Sequence, residues 1–340
     1  MQGSQSKVFL LMAFSDFPWH QKAWDKFSEA RTRKHLPHAL LVTGAEGIGK
    51  RAFAEKLVQS LLCHQPIDNQ PCEQCNGCKT YSAGSNPDFM KIQVNEDKKQ
   101  ISVDQIRALT RFITLSRSFE SYRVILLHPV EAMNANAANS LLKSLEEPAE
   151  NTIIILLVTT LNQIIPTIKS RCQLLSLPKP SRQQALDWLQ VNAPDLEDVQ
   201  VRLDLSFGRP LVVLKAPGSD VNQVADFAKD ILQILEETKS IAEVAKTWEK
   251  ISHKDLIDWQ VSWLQAFIKE ELTGVKKNID VNSLVEQHLS KIKMLIKVKP
   301  CWDLYQQILE QQKYIHTSVN PLMFLENMLI LWFKASHQCR

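Results

Sequence analysis

The sequence predicts an α/β protein: a parallel sheet covered on both faces by helices, followed by an all-helical C-terminal part. Three observations carry that expectation. Between residues 39 and 178, strand-sized runs that are apolar throughout alternate with stretches of helical spacing. Uniformly apolar strands separated by helices imply a parallel sheet buried on both sides. The first of these runs feeds directly into a glycine-rich loop, "GAEGIGK" at 44–50. Finally, residues 221–340 hold one glycine, Gly274, and two prolines, and a stretch so poor in breakers reads as helix.

The elements follow in order. "ALLVT" (39–43) is the first strand, and "RAFAEKLVQSLL" (51–62) is the helix after the loop. "DFMKIQV" (88–94) is a strand and "VDQIRALTRFI" (103–113) an amphipathic helix. Next come "RVILLH" (123–128) as strand, "NANAANSLLKSLEEP" (134–148) as a helix stopped by Pro148, and "TIIILLV" (152–158) as strand. "QLLSL" (173–177) is a further strand. "LPKP" at 177–180 ends this part, short helices fill 181–214, and "APGSD" at 216–220 makes a second break. The expected divisions are therefore 1–178, 179–218 and 219–340. In the last, "LIDWQVSWLQAFI" (256–268) places Leu256, Trp259, Trp263 and Phe267 on one stripe, the spacing of core or subunit contact rather than of a base-stacking platform. "NPLMFLENMLILWF" (320–333) opens with Asn320 as cap and Pro321 at the first helical position.

Length and composition bound the rest. At 340 residues the chain has room for two or three domains at about 150 residues each. It is 44% apolar and 23% charged with net charge +3, so no global basic field argues for nucleic acid. No run reaches membrane-spanning length; the longest, "TIIILLVTT" at 152–160, is strand-sized. "KVFLLMAF" at 7–14 has one positive charge before its apolar core and no small-x-small site after it, so it is rejected as a secretion signal. Met12 is an alternative start, with residues 1–11 a ragged extension. Four of the seven cysteines lie between 63 and 78, and Cys172, Cys301 and Cys339 are scattered. That is no disulfide framework, and a reducing, cytoplasmic location is expected.

Two motifs bear on nucleotide chemistry. A phosphate-binding loop reads G-x-x-x-x-G-K-[ST]. Here Gly44, Gly49 and Lys50 fall in place with Gly47 between them, but Arg51 holds the last position. The hydroxyl that would hold Mg²⁺ is missing. In an ATPase of this kind a later strand ends in Asp-Glu, holding Mg²⁺ and orienting the attacking water. Here those positions carry His128 and Pro129. An imidazole is a poor ligand for an oxygen-seeking ion, and proline cannot polarise water. The expectation is no ATP hydrolysis, with ATP binding itself in doubt.

The cysteine cluster has the spacing C-x8-C-x2-C-x2-C at Cys63, Cys72, Cys75 and Cys78. Four thiolates suit tetrahedral zinc and leave no open position, so the expected role is structural. The rival is an iron–sulfur cluster, whose motif usually adds a further Cys and a proline; both are absent here. His64 is the alternative ligand, disfavoured because four cysteines are already present.

These segments, together with "FPWHQKAW", "HALLVTGAEGIGK", "GSNPDF" (84–89), "NSLLKSLEEP" (139–148) and "KSRCQLL" (169–175), resemble the AAA+ clamp-loader subunits of bacterial DNA polymerase III along essentially the whole chain. The broken loop and missing Asp-Glu pair place the resemblance with the delta prime family rather than with the ATP-hydrolysing tau and gamma. The resemblance implies an AAA+ architecture: a three-layer parallel-sheet domain, a small helical lid, and a helical collar that joins subunits in a ring-like arc. It implies partners too: tau/gamma and delta subunits, the sliding clamp and primer-template DNA, with no membrane. It also implies that Arg171, in Ser170-Arg171-Cys172, reaches in trans into a neighbour's ATP site as an arginine finger. Cys172 is expected to be a small packed residue. Where active relatives carry a nucleotide-sensing arginine in the lid, this chain has Leu211, with Arg209 nearby. Thr159 and Thr160 fall where a phosphate-sensing residue would lie. Glu146 and Glu147, adjacent on a helix, diverge and read as a solvated or interface-facing helix end.

Two competing readings remain. A working tau/gamma-like ATPase of the same fold would need the groups missing at 51, 128 and 129. A zinc-finger nucleic-acid binder would need basic residues around the cysteines, where Asp68 and Glu73 stand instead.

Overall fold

The computed structural model describes residues 17–95, 98, 100–206, 208–215, 221–274, 283–296, 298–314 and 319–337. The apolar segment at 7–14, the alternative start Met12, the break at 216–220 and Cys339 lie outside them. The chain divides into two compact units. One runs to Asn192 and includes Arg209–Val212; the other holds Ala193–Gly208 and the residues from Val213 onward. The 179–218 segment is thus shared between the two units.

In the first unit the elements are α1 (Gln21–Thr32), β1 (Ala39–Thr43), α2 (Lys50–Leu62), α3 (Asn76–Ser82), β2 (Phe89–Ile92) and α4 (Val103–Thr114). They continue with β3 (Arg123–Leu127), α5 (Ala135–Glu146), β4 (Thr152–Val158), α6 (Pro166–Lys169), β5 (Gln173–Ser176) and α7 (Arg182–Asn192). The five strands form one sheet in the order β2-β3-β4-β1-β5, and every pairing is parallel. Alternate residues of each strand serve opposite faces. Leu40, Val42, Val124, Leu126, Ile153 and Ile155 join the core cluster that includes Trp24 of α1 and Phe53 of α2. Ala39, Leu41, Ile125, Leu127, Ile154 and Leu156 join the cluster with Leu109 of α4 and Leu141 of α5. Every residue of β1, β3 and β4 is buried, which is why these strands read as unbroken apolar runs.

Local chemistry sets the helix ends. Ser102 and Gln105 make a capping box on α4, and the Asn134 side chain accepts from Ala137 N at 2.8 Å to start α5. α5 ends at Glu146, two residues short of Pro148. A buried ion pair fixes the entry to β2 and β3. Asp88 Oδ1 pairs with Arg123 Nη2 at 3.0 Å, with the two side chains 0% and 3% exposed. Asp88 Oδ2 also accepts from Ser118 N and Phe119 N, and Arg123 donates to the Ser116 and Phe112 carbonyls. This explains Asp88 in the "GSNPDF" segment.

The second unit holds α8 (Val199–Leu205), α9 (Pro210–Lys215, its first turn in the first unit), α10 (Val221–Leu235) and α11 (Ile241–Trp248), then α12 (His253–Thr273), α13 (Ser283–Leu295), α14 (Val298–Gln311) and α15 (Pro321–His337). Leu256, Trp259, Trp263 and Phe267 are all buried in its core, so the aromatic stripe is packing. Trp332 is fully buried and donates Nε1–H to Gln260 Oε1 at 2.6 Å. Asn320 caps α15 by accepting from Leu322 N at 2.9 Å. No helix among the described residues is long and apolar enough to cross a membrane.

Removing one member of a buried pair strands the other's charge. Asp88→Ala is expected to destabilise the first unit by about 3–5 kcal/mol, read as a lower midpoint of its urea unfolding transition.

Candidate functional site

The strands all point one way, so β1, β3 and β4 end on a common edge. There the chain places the glycine loop, His128–Glu131, and Thr159–Thr160. The loop is built as a phosphate loop is. Gly47 and Gly49 have φ of 77° and 90°, a region that favours glycine, and Gly49 is the N-cap of α2. Lys50 is buried, and its Nζ donates to Gly44 O at 2.6 Å, Ala45 O at 3.1 Å and Thr159 Oγ1 at 3.1 Å. The charge that would face a phosphate is thus bonded to the loop itself and to the end of β4.

Arg51 turns away from the loop. Its Nε pairs with Glu55 Oε1 at 2.9 Å, one helical turn along α2, with the arginine side chain 58% exposed. His128 caps the end of β3, and its Nδ1 is buried with no hydrogen-bond partner among the described residues. Burial lowers its pKa, and the neighbouring Arg51 pushes the same way, so the imidazole is neutral. Glu131 escaped the sequence reading. Its Oε1 accepts from Thr159 N and, at 2.9 Å, from Thr160 N. The carboxylate nearest the missing Asp-Glu pair therefore ties down the end of β4.

Packing closes round the loop. Trp19 Nε1 donates to Ile48 O at 2.9 Å. A Cβ built on Gly49 would stand 3.1 Å from His20 and 3.2 Å from Phe17. Phe17 stacks on Trp188 of α7 with centroids 5.5 Å apart. A Cβ on Gly47 would stand 2.4 Å from Val212, and Leu211 N donates to Gly47 O at 3.1 Å. Leu211 is buried and meets the loop through its backbone, with the Val212 side chain against Gly47. This wall was visible in sequence only as the aromatic "FPWH" and a lone Trp188.

Cys63, Cys72, Cys75 and Cys78 converge, their Sγ atoms all within 4.8 Å of one another. Cys63 to Cys72 is 3.5 Å and Cys75 to Cys63 is 3.8 Å. A zinc–sulfur bond of about 2.3 Å in a tetrahedron puts sulfurs about 3.8 Å apart, so this group can hold a metal ion. Backbone N–H groups support it: those of Gln74 and Cys75 hold the Cys72 thiol below its ordinary pKa. The insert is also anchored. Ile67 pairs with Gln70 across a tight turn with positive φ at Asp68 and Asn69. Asn69 Nδ2 donates to Thr32 Oγ1 at 3.2 Å, and Ser60 Oγ donates to Asn69 O at 2.6 Å while accepting from Arg31. His64 is turned elsewhere, its ring 4.9 Å from Phe119.

Arg171 lies apart from all of this. It precedes β5, and β5 pairs with β1 in parallel with Gln173 opposite Leu40. Leu40 lies four residues before Gly44, roughly 13 Å along the strand direction at about 3.3 Å per residue, so Arg171 sits where the strands begin, at the end of the sheet opposite the loop. Its side chain is 34% exposed and bonded to Glu146 Oε1 at 2.6 Å, to Thr167 O at 3.0 Å and to Ser170 Oγ at 3.3 Å. No local pattern signals the Glu146 contact. Cys172 packs against the core, and burial pushes its thiol up to about 11, so it is not a reactive group.

Fold and loop together define a parallel-sheet protein of the phosphate-loop nucleotide-binding class, with a substituted loop. A family profile described as "DNA polymerase III, delta subunit" matches residues 19–181. DNA polymerase III subunit delta' of Pseudomonas aeruginosa is 34% identical over 322 residues, covering 93% of this chain and 97% of that protein. The delta' subunit of Haemophilus influenzae is 26% identical, covering 83% and 90%. A gamma subunit-related protein of Thermotoga maritima aligns in structure with TM-score 0.42 and 16% identity, covering 91% of this chain and 99% of that one. The chain belongs to the DNA polymerase III delta' family.

His20, fully buried against the loop, gives this site a pH signature. Burial lowers its pKa from 6.5 to about 4. A depressed histidine stabilises the fold above its unfolded pKa, and that stability is lost as pH falls toward the folded value. Between pH 6.5 and 5 the chain should lose about 2 kcal/mol through this residue. His20→Gln should remove that slope in thermal melts across the window.

Proposed function

We propose that the chain is a non-catalytic subunit of the DNA polymerase III clamp loader. It acts in replication, in a cytoplasmic hetero-oligomer with tau/gamma and delta subunits, and helps place the sliding clamp on primed DNA. It lends Arg171 in trans to the ATP site of a neighbouring subunit. The three parts of the chain, 1–178, 179–218 and 219–340, take the roles of core, lid and collar. One observation supports the reading: Arg171 precedes β5, at the end of the sheet where the strands begin, while the chain's own loop follows β1 at the other end.

The rest of the reading follows from residue chemistry. In the neighbour's site a guanidinium supplies a planar fork of donors to the transferring phosphoryl group. This chain's own loop, Gly44, Gly47, Gly49 and Lys50, keeps the geometry of phosphate binding. Mg²⁺ has no oxygen at Arg51 or His128, and Pro129 cannot orient a water. Turnover is therefore absent. The four cysteines take zinc, which when bound cross-links the segment between α2 and α3. Their compact sulfurs fit it, and four sulfurs leave no open position.

The isolated chain should release phosphate from ATP at the level of a blank, and Lys50→Ala should not alter that. In the assembled loader, Arg171→Ala should lower ATP hydrolysis stimulated by DNA and clamp, in part, because one site loses its charge partner. Arg171→Lys should not rescue it fully. Assembly and loading at unaltered rates in the alanine variant would overturn the trans-arginine reading.

Elemental analysis should find about one zinc per chain. Replacing Cys72 or Cys75 by Ser should release it, and should lower the melting temperature of the first unit. Iron with acid-labile sulfide would instead mark a cluster.

A further inference from the structure

Arg171 is already engaged. One terminal nitrogen, Nη2, lies 2.6 Å from Glu146 Oε1, and the other, Nη1, donates to Thr167 O and Ser170 Oγ. A phosphate met bidentately competes for those same nitrogens. A carboxylate and a phosphoryl group are both anions, and held side by side on one guanidinium they repel. Opening the Glu146 contact therefore frees Arg171 to meet a nucleotide with its full fork.

Glu146 is also out of place by local rules. It is the last residue of α5, followed by Glu147. Carboxylates are disfavoured in the last turn of a helix, where carbonyl groups point outward and the dipole is negative. Its mount is fixed: Ser144 and Leu145 are buried, and the Leu145 carbonyl lies 3.0 Å from His38 Nε2. A rigid base thus carries an acid whose charge is offset by Arg171. With 34% and 49% of the two side chains exposed, the pair is weak enough to exchange partners.

We propose that Glu146 is a positioning residue that holds Arg171 on its own subunit, so that the arginine is released to a neighbour's phosphate only when loader assembly on clamp and DNA draws it away. This rests on the trans-arginine reading above.

The test uses the complete loader carrying Glu146→Gln, Arg171→Ala or both, with Glu147→Gln as control. ATP hydrolysis is measured with and without clamp and primed DNA. Glu146→Gln should raise the unstimulated rate up to about five-fold at the affected site and about two-fold for the whole loader, the range a half-exposed ion pair supplies. The stimulated rate should stay near that of the unaltered loader. The double variant should match Arg171→Ala, and Glu147→Gln should change nothing. An unchanged or lowered unstimulated rate in Glu146→Gln overturns the proposal. So does a rise that persists without Arg171, or an equal rise in Glu147→Gln. If Arg171→Ala leaves hydrolysis unaltered, the trans-arginine reading fails and takes this one with it. If Arg171→Ala lowers hydrolysis while Glu146→Gln has no effect, the restraint alone is wrong.

Discussion

The common direction of the five strands is the constraint on which the rest depends. A parallel sheet has two unlike edges. All loops that follow strands gather on one, and all segments that enter strands gather on the other. In this chain the first edge holds Gly44–Lys50, His128–Glu131 and Thr159–Thr160, and the second holds Arg171, Glu146 and His38. The sheet keeps these two groups apart because its strands are buried on both faces and tied in register. A subunit built this way carries its glycine loop at one end of the sheet and Arg171, paired with Glu146, at the other.

Polar contacts hold the surrounding segments to that sheet. Asp88 and Arg123 pin the loop between α4 and β3. Glu131 spans from the end of β3 to the end of β4. Ser60, Arg31, Asn69 and Thr32 clasp the cysteine-bearing insert to α1 and α2. Each puts side-chain oxygens or nitrogens where backbone ladders cannot reach.

Much of this was legible in the sequence. Unbroken apolar runs give β1, β3 and β4 to within a residue because those strands are buried on both faces. The 88–94 run shortens to Phe89–Ile92 at the sheet edge, where only one neighbour supplies a ladder. Asn134 and Asn320 mark helix starts through local hydrogen bonding, and Pro148 marks an end because it lacks an N–H, so they too could be read directly. The cysteines were legible because their ligand spacing is short-range. Glu146, Glu131 and the wall of Phe17, Trp19, His20 and Trp188 were not. Each acts through a partner distant in sequence, and no local period encodes such pairs. The Glu146–Arg171 contact joins residues on separate elements, and Phe17 meets Trp188 across most of the first unit.

The packing on the loop has a consequence for any attempt to rewrite it. Writing Thr at 51, Asp at 128 and Glu at 129 would restore the letters of an ATPase. It would leave Lys50 tied to Gly44 and Ala45, and Leu211 and Val212 seated on Gly47. The letters alone would therefore not rebuild an open pocket: the side chains packed on the loop would have to change with them, since the room above Gly47 and Gly49 is already filled.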